Sequence, residues 1–213
     1  MPHPTEPGRV AGVILAAGAS RRMGTNKMLL ELEGEAVVRR VARRALAARL
    51  SPVVVVLGHE PDQVRAALAG LACEFVVNAD FAGPTSGSLH KGLEGLPADV
   101  DAAVVMLADM VLVTEQMLGA LVAAAARGTP APLVVSRYAD ITAPPLLFRR
   151  ALFAELLAWT GEGCGKTVVQ RHRDEALFMD WPAEALMDVD TPEDFAAAAA
   201  AAALTRSRTP ERL

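Results

Sequence analysis

Aromatic side chains make up only 4% of the 213 residues: two Trp, one Tyr and six Phe. So small a set cannot floor a groove on which successive bases stack, which excludes a single-strand nucleic-acid binder. Basic charge is not in excess either, since 21 Lys and Arg face 25 Asp and Glu for a formal net charge of −4. A nucleic acid or an anionic membrane surface would need a broad basic face, so neither is an expected partner. Any anion must be held by a local device. Cysteine is nearly absent: Cys73 and Cys164 lie far apart and match no metal-site spacing. They read as reduced thiols of a cytoplasmic protein. The opening MPHPTEPGR lacks the basic start of a signal peptide, and the apolar run behind it is too short to span a bilayer. The alanine run Ala196–Ala203 reads as a helix of a soluble protein rather than an anchor.

What is present is a core. With 52% hydrophobic and 22% charged residues the chain buries a sizeable interior. Its length suits one domain, expected over 9–204, with a disordered start at 1–8 and a frayed tail at 205–213. Short β-branched runs, Val10–Leu15, Val53–Leu57, Glu74–Asn78, Ala102–Leu107 and Leu133–Arg137, predict strands. Between them, Val37–Ala48, Asp62–Ala69, Ser86–Leu96 and Thr114–Arg127 predict helices. Unbroken apolar strands alternating with helices imply an α/β protein, a three-layer α/β/α sandwich around a mostly parallel sheet. The last third is less regular. A strand at Leu146–Phe148, a helix at Arg149–Trp159, the glycine-rich TGEGCGK and a helix through His172 are expected. ALFMDW and ALMDVD follow as strand candidates, then a final helix from Pro192.

Open α/β sheets bind ligands beyond the carboxyl ends of their strands. The loops leaving those ends are AAGASRRMGTNK, GHEPDQ, NADFAGPTSGS and ADMV, and all four should share one edge. In the first, Gly18 and Gly24 frame a turn rich in backbone donors, and Ser20, Arg22 and Lys27 add hydrogen-bonding and charge. That composition suits a phosphate chain, yet the spacing is neither Walker A nor the dinucleotide fingerprint. Asp109 ends a buried strand, where a carboxylate is an ordinary surface residue or, with phosphates nearby, a ligand for Mg²⁺. In MDVDTPEDF, Thr191, Pro192 and Asp194 explain themselves as a helix start. Asp188 and Asp190 precede that cap, leaving Asp190 as a second metal carboxylate if the loops converge. Ser86 and Ser88 are candidate N-caps and also candidate nucleotide contacts at a helix N-terminus. The arginines of RRVARR read as a solvated helix face, and His59, His90 and His172 show no metal spacing.

Together these residues resemble the molybdenum-cofactor nucleotidyltransferase family, and more closely its cytidylyltransferase branch. The family pattern L-A-A-G-x-S-x-R-M-G-x-x-K is matched at every defined position from Leu15 to Lys27. Ala17 stands where guanylyl-transferring relatives usually carry glycine, which favours CTP. GPTSGSLHKGL, LADM and DVDTPED are similar to the family's serine loop, metal-aspartate strand end and C-terminal motif. The resemblance implies a nucleotide-diphospho-sugar-transferase-like fold. It assigns nucleotide binding to Leu15, Ala16, Ala17, Gly18, Ser20, Arg22, Gly24, Lys27, Ser86 and Ser88. It makes Arg22, Lys27 and Asp109 catalytic, and gives Asp109 and Asp190 to Mg²⁺, with Mn²⁺ as the alternative. The implied acceptor is a phosphorylated pterin, contacted around Pro145 and Glu162, and the product passes to a molybdoenzyme. Three departures stand out: Val111 for proline, Ala143 and Pro144 for Gly-His, and Glu162 and Cys164 for Asp and Gly in G-D-x-G. Two of them fall in the acceptor half, so a sugar or alcohol phosphate acceptor stays open beside the pterin, as does GTP beside CTP. A non-catalytic cofactor carrier is the reading of another class.

Overall fold

The computed structural model describes residues 8–20, 22–126 and 131–207. Expectations for 1–7, Arg21, Arg127 and 208–213 lie outside the described residues.

The chain runs β1 (Arg9–Ala16), a hairpin of β2 (Glu31–Leu32) and β3 (Glu35–Ala36), α1 (Val37–Ala47), β4 (Val53–Leu57) and α2 (Pro61–Ala67). It continues through β5 (Cys73–Val77), α3 (Thr85–Glu94), β6 (Val100–Leu107), α4 (Glu115–Ala126), β7 (Leu133–Tyr138) and β8 (Ile141–Arg149). The last elements are α5 (Phe153–Ala158), α6 (Cys164–Arg171), β9 (Leu177–Trp181) and α7 (Pro192–Ser207). Seven strands form one sheet in the order β5-β4-β1-β6-β8-β7-β9. β4, β5, β1 and β6 are parallel neighbours, β8 runs antiparallel to both its partners, and β9 is parallel to β7.

Strand side chains alternate faces, so each strand feeds two cores. Val10, Ile14, Val53, Val55, Val104 and Met106 point to the face covered by α1, α2 and α4. Ala11, Val13, Val54, Val56, Ala103 and Val105 point to the face covered by α3, α5 and α6. The expected three-layer sandwich is what forms. A third, smaller core joins Leu32, Val37, Val111, Val189 and Ala198, with Phe195 and Met187 packed against it. It clamps the β2–β3 hairpin, the segment after Asp109 and the start of α7 together. Val111, the departure from proline, is fully buried there.

Four expectations are corrected. ALMDVD is no strand: Ala183–Ala185 is a 3-10 turn and 186–190 is irregular, because its alternating apolar residues pack into the third core and not onto a sheet edge. The strand foreseen at Leu146–Phe148 is the end of the nine-residue β8. Its prolines lack ladder donors, and the carbonyls of Pro144 and Pro145 instead accept from the hydroxyls of Tyr138 (3.0 Å) and Ser136 (2.7 Å). The helix expected from Arg149 opens as a 3-10 turn at Arg150–Leu152 before α5. Finally, the arginines of α1 are a solvated face only in part: Arg43 is exposed, Arg39 and Arg44 are half-buried and Arg40 is buried. Arg44 donates to the carbonyls of Val111 (2.6 Å) and Val113 (2.8 Å), Arg40 pairs with Glu33 at 2.9 Å, Arg43 with Glu35, and Arg39 ties down the end of α2 through Ala67 and Ala69. Burial, helped by Arg40 and Arg43, lowers the Arg44 pKa to about 10. Carbonyls of neighbouring segments hold the Arg39 and Arg44 guanidiniums, and carboxylates of the β2–β3 hairpin hold those of Arg40 and Arg43.

Candidate active site

At the carboxyl edge of the sheet, the turn after β1 closes on itself. Met23 donates its N–H to the Ser20 carbonyl, and the Ser20 hydroxyl accepts from the Lys27 N–H at 3.1 Å. Gly24 sits at φ 68°, a left-handed conformation that glycine adopts without strain. Asn26, buried, caps a 3-10 turn over Lys27–Leu29 by accepting from Met28, while its amide donates to Glu60 at 3.1 Å. Lys27 is thereby set inside the turn, with only 9% of its surface exposed.

Its ammonium bridges two carboxylates from distant parts of the chain, donating to Asp109 and, at 2.8 Å, to Asp190. Arg22 meets the other oxygen of Asp190 at 2.6 Å. The convergence expected of Asp109 and Asp190 is therefore present, with Lys27 between them. Burial alone would lower the Lys27 pKa, but attraction and hydrogen bonds from Asp109 and Asp190 outweigh it and hold it above the ordinary value. The same bond from Lys27, with help from Arg22, holds Asp190 below the usual carboxylate range. Asp188 is pushed up to about 6 by burial and by the like charges of Asp109 and Asp190. It belongs to the same electrostatic cluster.

The convergence follows from the local fold. Thr191 and Asp194 form the foreseen capping box: the Thr191 hydroxyl accepts from Asp194 N–H at 3.2 Å, and the Asp194 carboxylate accepts from Thr191 (2.8 Å) and Asp190 (3.2 Å). With Val189 buried in the third core, Asp190 is held at a fixed place beside the β6 end.

A cavity of about 360 Å³ opens here, lined by Gly18, Ala19, Ser20, Arg22, Lys27, Phe81, Ala82 and Asp190. A second, of about 380 Å³, lies on the other side of the turn against His59, Glu60 and Gln63. Leu15, Ala16 and Ala17 form the strand end behind the turn; Leu15 accepts from Ala108, and Ala17 accepts from His59. Ser86 and Ser88 are buried and neither caps α3, since the helix already begins at Thr85 behind Pro84. Ser88 instead accepts from the Asn78 amide at 3.0 Å. The cap comes from afar: Glu162 accepts from the Thr85 hydroxyl at 2.8 Å and faces its N–H at 3.4 Å. Glu162 thus joins the 161–166 loop to the serine loop, while Pro145 lies buried in β8.

Sequence reasoning missed Asn26, Glu60, Asn78 and Phe81. Only Phe81 left a signal, as the one aromatic residue in NADFAGPTSGS.

Among the described residues no three His, Cys, Asp or Glu side chains group as a metal cage. A pair of carboxylates is nonetheless the protein share of a Mg²⁺ site that substrate phosphates complete. Two observations fit a cation between Asp109 and Asp190: they already accommodate one positive charge, and Asp109 Oδ1 is buried without a hydrogen-bond partner. Among the described residues no helix is long and apolar enough to cross a membrane.

Comparison with known proteins agrees with this geometry. Purine catabolism protein PucB of Bacillus subtilis is 30% identical over 86% of this chain and 93% of its own length. A Natronomonas pharaonis protein named "Probable molybdenum cofactor guanylyltransferase" is 36% identical over 52% of this chain and 54% of that protein. Among solved structures, Rv0371c of Mycobacterium tuberculosis superposes with a TM-score of 0.80 at 28% identity, covering 90% of this chain and 97% of that one. Rv0371c has also been crystallised in complex with manganese, a structure that superposes at 0.75 and 27% identity over 90% of this chain and 98% of that one. The family model described as the MobA-like NTP transferase domain matches residues 12–176, most of the chain. This protein therefore belongs to the MobA-like NTP transferase domain family and is a nucleotidyltransferase.

Proposed function

We propose that the enzyme transfers CMP from CTP to the phosphate of a molybdopterin-type acceptor and releases pyrophosphate. The observation that carries this reading is the Lys27 ammonium held between Asp109 and Asp190, with Arg22 beside it, on the wall of a strand-end cavity. The acceptor phosphate oxygen attacks the α-phosphorus; the P–O bond to the β-phosphate breaks, and that electron pair leaves with pyrophosphate. A phosphate oxygen is already a competent nucleophile, so no general-base histidine is required.

The obstacle is electrostatic. Two unit charges about 4 Å apart repel by roughly 4 kcal/mol at an effective dielectric of 20. Positioned cations must offset that repulsion, and most of the catalysis lies there. Lys27 and Arg22 swing from Asp190 onto the phosphates, and the turn from Ala16 to Gly24 offers backbone donors. Mg²⁺ or Mn²⁺ would be held by Asp109 and Asp190, where its charge polarises phosphoryl oxygens. Ala17 favours CTP over GTP.

A second reading keeps the transfer and changes the acceptor. Segments 143–145 and 161–166 depart from the pterin-binding pattern, and the relative of nearly equal length is named for purine catabolism. A sugar, alcohol or other phosphorylated acceptor is then the partner. One experiment separates these readings from a non-catalytic carrier. The protein is incubated with Mg²⁺, each of CTP, GTP, ATP and UTP, and a panel of phosphorylated acceptors, and pyrophosphate and adduct mass are followed. CTP with molybdopterin should give both. A different productive acceptor moves the reading to the second form. Nucleotide binding, seen as a raised Tm, with no pyrophosphate from any pair would leave only the carrier.

A further inference from the structure

Eight of the nine aromatic side chains have a packing role. Phe75, Tyr138 and Trp181 belong to the core under α1, α2 and α4; Phe148, Phe153, Trp159 and Phe178 to the opposite core; Phe195 to the third. Phe81 belongs to none of them. It is half-buried, and it lines the strand-end cavity.

Its place is built rather than incidental. Gly58 ends β4 with no side chain, and a Cβ there would stand 2.5 Å from both the Ala17 carbonyl oxygen and Phe81 Cβ. Glycine at 58 therefore lets the loop carrying Phe81 close directly on the phosphate turn. The His59 ring lies 6.0 Å from the Phe81 ring at a tilt of 47°, supporting it from outside the cavity. The cavity lining also divides by chemistry. Arg22 and Lys27 are both bound to Asp190, whereas Phe81 and Ala82 are uncharged. A nucleotide has the same division, a polyanion joined to an aromatic base.

We propose that Phe81 is the stacking platform for the nucleobase, so that the cavity takes the phosphates at Lys27 and Arg22 and the base against the Phe81 ring. This rests on the nucleotide reading given above and assigns it a residue which the family motif does not include. Every base has a π-face, so the platform supplies affinity for any nucleoside triphosphate and leaves base choice to polar groups such as Ser88.

The test is calorimetric titration of the full chain with CTP and, separately, with inorganic tripolyphosphate, which has the charge but no base. F81A should weaken CTP roughly tenfold or more, the usual loss for one base–aromatic stack, and leave tripolyphosphate affinity unchanged. F81W should bind CTP as the wild type does. F81L keeps apolar bulk without a π-face and should resemble F81A; because it also preserves packing, it answers the question if F81A unfolds. CTP affinity untouched in F81A, equal losses for CTP and tripolyphosphate, or full affinity in F81L would each overturn the platform. Failure of the wild type to bind either ligand would instead overturn the nucleotide reading beneath it.

Discussion

The turn after β1 and the later segments, proposed above for nucleotide and acceptor, are held together by different means. On the first, the functional groups are buried and interlocked: Asn26, Lys27 and Asp109 are each less than a tenth exposed and bonded across the chain. On the second, exposed pairs dominate. Glu162 caps Thr85 at the surface, Arg137 pairs with Asp180, and Glu155 holds both Arg171 and His172. Surface pairs contribute little to stability and are readily exchanged, whereas removing one partner of a buried set leaves an uncompensated charge. On the proposed reading, the nucleotide side is thus costly to alter and the acceptor side is freer to diverge. Of the motif departures, Glu162 is exposed, whereas Val111 and Cys164 are buried.

Substitutions on the buried side should have the largest effects. Asp109→Asn should reduce metal-dependent turnover by about a hundredfold or more, the scale of lost transition-state charge stabilisation, while circular dichroism stays native. Retained activity would remove Asp109 from the reaction. Lys27→Ala should lower turnover comparably and, in addition, lower the Tm of the ligand-free protein, because Asp109 and Asp190 then face each other without a cation. Added Mg²⁺ or Mn²⁺ should restore part of that loss and stabilise this variant more than the wild type. No metal response would argue against a cation site between the carboxylates.

On the exposed side, Glu162→Ala should raise the acceptor KM by roughly tenfold or less and leave CTP affinity unchanged, a pattern of lost binding without lost chemistry. Equal damage to CTP binding would show that the two sides are not separable. The smallest effect belongs to His172, whose pKa is raised above 6.5 by its hydrogen bond to Glu155, 2.7 Å away, with Glu175 adding to it. A raised folded pKa means that the pair's stabilisation is complete below pH 6.5 and fades as pH rises through the folded value. At this exposure it is worth within about 1 kcal/mol. Thermal unfolding of His172→Gln should therefore trail the wild type in mild acid and match it in alkali; a gap that widens with pH would have the wrong sign.

The same division governs what can be read from the sequence. Asp109, Asp190 and the turn from Leu15 to Lys27 are legible because strand ends, caps and turns are local chemistry: Thr191 and Asp194 announce a helix start three residues apart. The sandwich is legible because the strand runs are unbroken and apolar and alternate with helices. The β2–β3 hairpin is not, since strands of two residues have no period to detect. The extent of β8 was hidden by its prolines, which have no N–H for the ladder and whose carbonyls accept from hydroxyls of the neighbouring strand. Glu162 as the cap of α3 lies 77 residues from Thr85, and no local rule reaches that far. Arg39 and Arg44 misled for the same reason: their carbonyl partners come from other segments. Phe81 was visible as an aromatic in a loop, but only the three cores show that it has no packing role.

The account stands on attack at the α-phosphorus. The direct test is turnover of CTP labelled at either the α- or the γ-phosphorus, with Mg²⁺ and a productive acceptor. The α-label should appear in the acceptor adduct and the γ-label in pyrophosphate. Release of the γ-label as inorganic phosphate, with the α-label left in CDP, would contradict it.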